Sequence, residues 1–455
     1  MTDDFSSRWQ QLDWDDITLR INGKTARDVE RALNADKLTR DDFMALISPA
    51  AAPYLEPLAQ RAQLLTRQRF GNVVSFYVPL YLSNLCANDC TYCGFSMSNR
   101  IKRKTLDAAE IARECEAIKA LGFEHLLLVT GEHQTKVGMD YFRQHIPAIR
   151  RHFSSLMMEV QPLAQEEYAE LKTLGLDGVL VYQETYHPAT YLQHHLRGQK
   201  QDFHWRLATP DRLGRAGIDK IGLGALIGLS HSWRTDCYLL AEHLFYLQQT
   251  YWQSRYSISF PRLRPCAGGI EPASIMSEPQ LVQLICAFRL FAPDVELSLS
   301  TRESPYFRDH MIPVAINSVS AGSRRNPAAM PTTYRLSWNS LSRMTAARRS
   351  RSPRPSATPG CSQCGKTGTI IWDAARNKRQ RLPPCEENAG AAAQCRTVAL
   401  APANAPIIVT LPTAKPGVGR GRYPLDGPAL SNPGSRTDAL ARLRFLTNGH
   451  PGTCA

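Results

Sequence analysis

Eight short apolar or β-branched runs recur along the first 320 residues: VVSFYVPLYL, HLLLVTG, LMMEVQ, GVLVYQE, KIGLGALIGL, YSISFPRL, VELSLS and IPVAINSVS. Each has the length of a buried strand. Between them lie stretches such as LDAAEIARECEAIKALGF, whose apolar residues fall three and four apart, as on one face of a helix. Strand and helix in alternation predict parallel pairing through βα crossovers. Eight such units predict an α/β protein built on a closed eight-stranded β/α barrel of the TIM type, with its functional groups at the C-terminal strand ends. Residues 1–70 predict a helical lead-in, within which LTRDDFMALI offers Thr39 as an N-cap with Asp42 three positions on. Residues 71–322 would form the barrel. Beyond about Ser323 the periodic pattern fades, leaving 323–455 as an irregular tail.

The formal net charge of +13 on 455 residues would by itself point to nucleic acid or an anionic surface. Its distribution says otherwise. Residues 321–455 hold 20 of the 54 Lys and Arg and 5 of the 41 Asp and Glu, which leaves 34 basic against 36 acidic residues in the body. Seventeen of the tail's 20 basic residues are Arg, and 15 of the chain's 30 prolines lie there. Such a composition suits a disordered cationic arm that buries too little apolar surface to offset chain entropy. It also suits a shifted reading frame near residue 324, the reading favoured here. Codons for NPAAMPT, read in another frame, give Pro-Gly-Gly-Tyr-Ala-Asp, and those around SWNSL hide Glu-Leu-Glu-Gln-Phe. The tail's charge comes without interleaved aromatics or a binding fold, so no sequence-specific nucleic-acid partner is expected. No run approaches the roughly 20 apolar residues of a membrane span, and the start, MTDDFSSRWQQLDW, is acidic where a secretory signal is basic and then apolar. A cytoplasmic protein without a membrane partner is expected. In that reducing compartment closely spaced cysteines are metal ligands or redox groups rather than disulfides.

Three of the twelve cysteines fit that description. CANDCTYCGF, residues 86–95, follows the first strand, so Cys86, Cys90 and Cys93 offer three thiolates from one loop at a C-terminal strand end. Four-iron clusters are held by cysteine thiolates, usually four, and three would leave one iron open to chelate a small molecule. A structural zinc would want a fourth side-chain ligand. The spacing, with Tyr92 before the last cysteine, resembles the signature of radical S-adenosylmethionine (SAM) enzymes. That resemblance implies a [4Fe–4S] cluster on these three residues and SAM on its open iron. It implies that Gly131 and Glu132 of VTGE, after the second strand, meet the SAM amino group through their backbone. Glu159 of LMMEVQPL would contact the ribose, and the glycine-rich fifth strand, including Gly224, would pass beside the adenine. Tight barrel packing accounts for those glycines nearly as well.

Within that superfamily, YLSNLCANDCTYCGFSMSNRIKRKTL, EVQPL, YQETYH, SFPRLRPC and LSTRES together resemble the thiamine-biosynthetic tyrosine lyases over residues 1–320. The resemblance implies that a reduced cluster cleaves SAM and that the 5′-deoxyadenosyl radical takes hydrogen from the amino group of L-tyrosine. Fragmentation of Cα–Cβ then gives 2-iminoacetate and p-cresol. It further implies a flavodoxin-type reductant, and thiazole synthase as the partner that receives the imine. A substrate carboxylate calls for a charged fork, and a radical for a pocket closed to water. Arg262, Arg264 and Arg302, each at a predicted strand end, are the candidate forks, although an arginine at a barrel rim more often pairs with a surface carboxylate. Tyr182, Glu184, Tyr186 and His187 of YQETYH are candidate polar groups in the mouth.

The tail supports two rival readings. Cys361, Cys364 and Cys385 resemble the C-terminal pattern that carries an auxiliary cluster in the hydrogenase-maturation tyrosine lyases, but the flanking RRSRSPRPSATPG and RNKRQRLPPCEEN lack helical patterning to position one. With Cys395 they could instead hold zinc in a nucleic-acid module on an inactive barrel, though ribbon-like sites end in a second close pair. Cys115, Cys237, Cys266 and Cys286 stand singly and read as buried hydrophobes.

Overall fold

In the computed structural model, which describes residues 4–263 and 269–322 and the backbone of 361–364 and 369–372, the chain begins with short capped helices. Thr25 and Thr39 accept from the third residue of helices Ala26–Asn34 and Arg40–Ile47, while the Asp28 and Asp42 carboxylates accept from the cap N–H. The second is the capping box expected from LTRDDFMALI. Helix Leu55–Phe70 then delivers the chain to the barrel.

The strands in chain order are β1 (Val73–Ser83), β2 (Asp89–Cys90), β3 (His125–Thr130), β4 (Ser155–Glu159), β5 (Gly178–Leu180), β6 (His195–Arg197), β7 (Lys220–Gly224), β8 (Arg255–Ser259), β9 (Glu296–Ser300), β10 (Ser318–Ser320), β11 (Cys361–Cys364) and β12 (Thr369–Trp372). Strands β1, β3, β4, β5, β7, β8, β9 and β10 pair in parallel in that order. β10 returns to β1, with Ser75 opposite Ser318 and Tyr77 opposite Ser320, and closes the predicted eight-stranded barrel. The last predicted run is the least strand-like, because residues 314–316 turn back onto the Met311 carbonyl and only Ser318–Ser320 extends. β2 and β6 form a separate antiparallel ladder, and β12 of the β11–β12 hairpin runs against the start of β1, Val73 opposite Ile371.

Alternation along each strand divides the core into two shells. Outward residues such as Phe76, Leu128, Leu223, Ile258, Leu299 and Val319 pack with helices that include Trp233–Thr250 and Glu278–Phe291. Tyr77, Leu127, Met157 and Leu180 point inward, with Val129 and Tyr182 against them. Strands buried on both faces give the continuous apolar runs that make this fold visible in sequence. Fully buried Arg289 donates to the carbonyls of Pro293, Val295 and Ala315 and to Asn317 Oδ1, fixing the turns ahead of β9 and β10. Among the described residues no helix is long and apolar enough to cross a membrane. The tail expectations, shifted frame or cationic arm, lie outside the described residues apart from the backbone of β11 and β12, as do those for Arg264, Cys266, Cys385 and Cys395.

Candidate functional site

Beyond β1 the chain turns into the cysteine loop at the C-terminal mouth, and its carbonyls are collected by one guanidinium. Arg103 donates to Asn84 O and Phe95 O (2.7 and 2.8 Å) and to Ser96 O and Asn99 O (2.6 and 3.2 Å). Asp89 Oδ1 accepts from the hydroxyls of Ser96 and Ser98, and Ser96 Oγ accepts from the Cys90 N–H. Gly131 lies where a Cβ would stand 2.3 Å from Leu85 O, so the end of β3 must be glycine for the loop to pass. Gly131 N donates to Ser83 O, and Ala87 N donates to Glu132 O at 2.8 Å. The Thr-Gly-Glu turn and the cysteine loop are therefore one hydrogen-bonded unit.

Cys86, Cys90 and Cys93 are free thiols. Burial pushes all three upward, Cys90 to about 12, while the Lys200 ammonium works in the opposite direction. Among the described residues no three ligand side chains are drawn together as for a single metal ion. A four-iron cluster is itself wide, and its cysteines stand apart around it. Three thiols on one loop within electrostatic reach of one another suit such a cluster better than a lone zinc.

Under the loop lies a buried charge cluster. Glu132 accepts from Asn88 Nδ2 (2.7 Å) and pairs with Arg206 (3.1 Å), while Glu184 pairs with Lys200 (2.7 Å) and stands 3.7 Å from Arg206. Asn88, between the first two cysteines, also accepts the Lys200 N–H. Burial would raise the Glu132 carboxyl, but Arg206 and Lys200 hold it below its ordinary value. Burial and Arg206 oppose the Lys200 ammonium, yet Glu184 among its neighbours keeps its pKa well above normal. Among the described residues Glu184 is the one non-glycine with positive φ, 70°. Such a conformation costs about 1–3 kcal/mol and needs surrounding structure to enforce it. Asp236 supplies it, accepting from Thr185 Oγ1, the Tyr186 N–H and Ser230 Oγ.

Tyr92 donates its phenol proton to His195 Nε2 (2.8 Å), because His195 Nδ1 is bonded to the Tyr191 carbonyl and must carry the ring proton. Burial, reinforced by Lys200, pushes His195 down to about 2, so the ring stays neutral. The β2–β6 ladder sets Asp89 opposite Arg197 and Cys90 opposite His195, tying the cysteine loop to the segment that carries Lys200.

Other predicted residues separate into two groups. Glu159 ends β4 with a carboxylate that has no hydrogen bond or ion pair among the described residues; burial raises its pKa and Arg302 opposes the shift. Arg302 is exposed beyond β9 and forms no ion pair among the described residues. Arg262 is already committed, its guanidinium bonded to Glu303 through Nε (3.0 Å) and Nη2. Tyr182 covers Gly224, whose added Cβ would lie 2.8 Å from the Tyr182 ring. His187 caps helix Pro188–His194 and contacts Trp14, and Tyr186 bonds His243. Asn88, Lys200, Arg206 and His195 were not singled out in the sequence. Asn88 had the one usable signal, its place inside the cysteine motif.

The sequence profile of the radical SAM superfamily matches residues 80–239, and that of the Biotin and Thiamin Synthesis associated domain matches residues 259–349. The 2-iminoacetate synthases of Escherichia coli and Salmonella typhimurium are 80% and 79% identical to this chain over 323 residues, covering 71% of it and 86% of each relative. Among solved structures, HydG, a maturase of the [FeFe]-hydrogenase, superposes with a TM-score of 0.64 at 30% identity, covering 68% of this chain and 71% of its own.

Proposed function

The chain belongs to the 2-iminoacetate synthases of the radical SAM superfamily, and on that premise we propose which of its residues carry the chemistry. The protein is a carbon–carbon lyase that splits the Cα–Cβ bond of L-tyrosine into 2-iminoacetate and p-cresol, the imine serving the thiazole of thiamine. Cys86, Cys90 and Cys93 would hold the superfamily's [4Fe–4S] cluster, which with SAM supplies the hydrogen-abstracting radical. Asn88 and the Glu132 carbonyl fix the loop's path, while Lys200 sets a positive charge beside the thiolates. The unpartnered Glu159 carboxylate is free to accept from a sugar hydroxyl. Tyr182 closes the adjacent wall. A flavodoxin-type reductant and thiazole synthase complete the reading as electron donor and acceptor of the imine.

The observation that carries the substrate site is the contrast between two arginines. Glu303 occupies the fork of Arg262, whereas Arg302 keeps its fork free among the described residues, beside Glu159 at the mouth. We assign the tyrosine carboxylate to Arg302. Hydrogen bonds to charged groups contribute about 1.5–3 kcal/mol, so Arg302→Ala should raise the tyrosine KM roughly 10- to 150-fold, with partial recovery in Arg302→Lys. Tyrosine-independent SAM cleavage should stay the same. An unaltered KM in the alanine variant would exclude this placement.

The tail reads as a shifted frame on its composition and on the aligned length, which is 323 of the chain's 455 residues. A replaced segment that packs in the relatives would remove buried side chains at about 1.5–3 kcal/mol each. Expressed beside a version restored to the other frame, this chain should give less soluble protein, less iron and less p-cresol per cluster. Equality in all three measures would show that the native tail is dispensable.

A further inference from the structure

The barrel's interior is lined unequally. From β1, β3, β4 and β5 it receives Tyr77, Leu127, Met157 and Leu180. The opposite arc is rich in hydroxyls: Ser257 and Ser259 on β8, Ser298 and Ser300 on β9, and Ser318 and Ser320 on β10, with Ile258, Leu299 and Val319 between them facing the outer shell. Barrels of this type normally fill their interior with branched apolar side chains. Buried hydroxyls carry a cost unless each finds a partner.

Part of that need is met across the barrel. Tyr77 reaches Ser298 Oγ at 3.0 Å, and Ser298 lies opposite Ser318 in the β9–β10 register. Ser318 is fully buried, yet its Oγ has no hydrogen-bond partner among the described residues. Toward the N-terminal end lie the Lys220–Glu296 ion pair (2.6 Å) and Ser75 on His125 (3.0 Å), with Ser318 opposite Ser75, while Tyr77 and Ser298 each stand two residues further along their strands than Ser75 and Glu296.

We propose that Tyr77, Ser298 and Ser318 form the subsite that reads the 4-hydroxyl of the substrate tyrosine. The proposal rests on the carboxylate lying at Arg302. Arg302 lies in the turn that follows β9, four residues beyond Ser298, so one strand and its exit turn would carry both groups. Leu127 and Met157 would supply the apolar side for the ring. Burial drives the Tyr77 phenol up to about 12, so it remains a donor at every working pH. The substrate phenol can accept from Tyr77 and donate to Ser318 Oγ, whereas phenylalanine would leave Ser318 Oγ without a partner. Sites built to bond a substrate hydroxyl reject the analogue that lacks it far more strongly than apolar pockets discriminate by size.

The test compares anaerobic binding of L-tyrosine and L-phenylalanine to the full chain carrying its cluster and SAM. The proteins compared are the parent, Tyr77→Phe, the Ser298→Ala/Ser318→Ala pair and Arg302→Ala, with thermal melts confirming that each is folded. The parent should favour tyrosine by about 100-fold or more; the phenylalanine and double-alanine variants should lose roughly 10- to 100-fold in tyrosine affinity while binding phenylalanine as before. Arg302→Ala should weaken both amino acids together. Equal weakening of both amino acids in the subsite variants, or unchanged tyrosine binding, overturns the proposal and leaves the hydroxyls to the barrel and a buried water. Unchanged binding in Arg302→Ala alone refutes the carboxylate placement, while the hydroxyl preference still decides the subsite.

Discussion

A Cys93→Ala chain should form no detectable 5′-deoxyadenosine from SAM under reducing conditions and should lose most of its iron, and Cys86→Ala and Cys90→Ala should behave alike. The three thiols are already one short of the usual complement of a four-iron cluster, so losing another leaves two irons without a protein ligand. No further cysteine lies on the loop, and the carboxylates of Glu132 and Glu184 are committed to Arg206 and Lys200. Cys115→Ala is the control. That thiol is buried on helix Ala108–Ala120, so its loss should lower stability slightly and leave iron content intact. Near-normal 5′-deoxyadenosine from Cys93→Ala would refute the cluster assignment.

Arg206→Met should be the most destabilising single change near the site. It leaves Glu132 and Glu184 buried with one cation, Lys200, between them. Breaking a buried ion pair by removing one partner typically costs about 3–5 kcal/mol, a large part of the ~5–15 kcal/mol that holds a domain together. Its pH dependence has a definite sign. Glu132 has a lowered pKa in the fold, so its contribution is present above the unfolded value, about 4.3, and is lost as pH falls through the folded value. Denaturation midpoints of parent and variant should therefore differ most near neutrality and converge as pH falls through the lowered folded value of Glu132. Arg143→Met, which breaks an exposed pair with Glu170, should change little at any pH. Equal loss in the two variants would mean that the buried cluster contributes no more than a surface bridge.

The barrel was legible because its strands are buried on both faces and each leaves an unbroken apolar run. The weakest of the eight, IPVAINSVS, failed where residues 314–316 bond the Met311 carbonyl instead of a neighbouring strand, a choice that composition does not reveal. Likewise, Cys86, Cys90 and Cys93 could be read together because one loop carries all three. Lys200, Arg206 and His195 could not, since their convergence depends on β6 and on short helices, Pro188–His194 and Phe203–Leu207, whose spacing carries no motif. Arg262 and Arg302 look equivalent in sequence. What distinguishes them is Glu303, which reaches across the rim to the first and leaves its own neighbour free. His187 has a local role as well: Pro188 after it marks a helix start, where His187 acts as the cap.

The antiparallel ladder between β2 and β6 bears on how such a site can be inherited. Thr91 donates its N–H to His194 O, Tyr92 bonds His195, and the next turn carries Lys200, so without residues 188–201 the cysteine loop loses its β2–β6 pairing and the partner of Tyr92. The loop is therefore not a portable module. Transplanted alone onto another barrel it would bring three thiols but neither the strand that orders them nor the ammonium beside them. The heritable unit is the pair of segments, about a hundred residues apart in the chain, and a change in either is felt by the other.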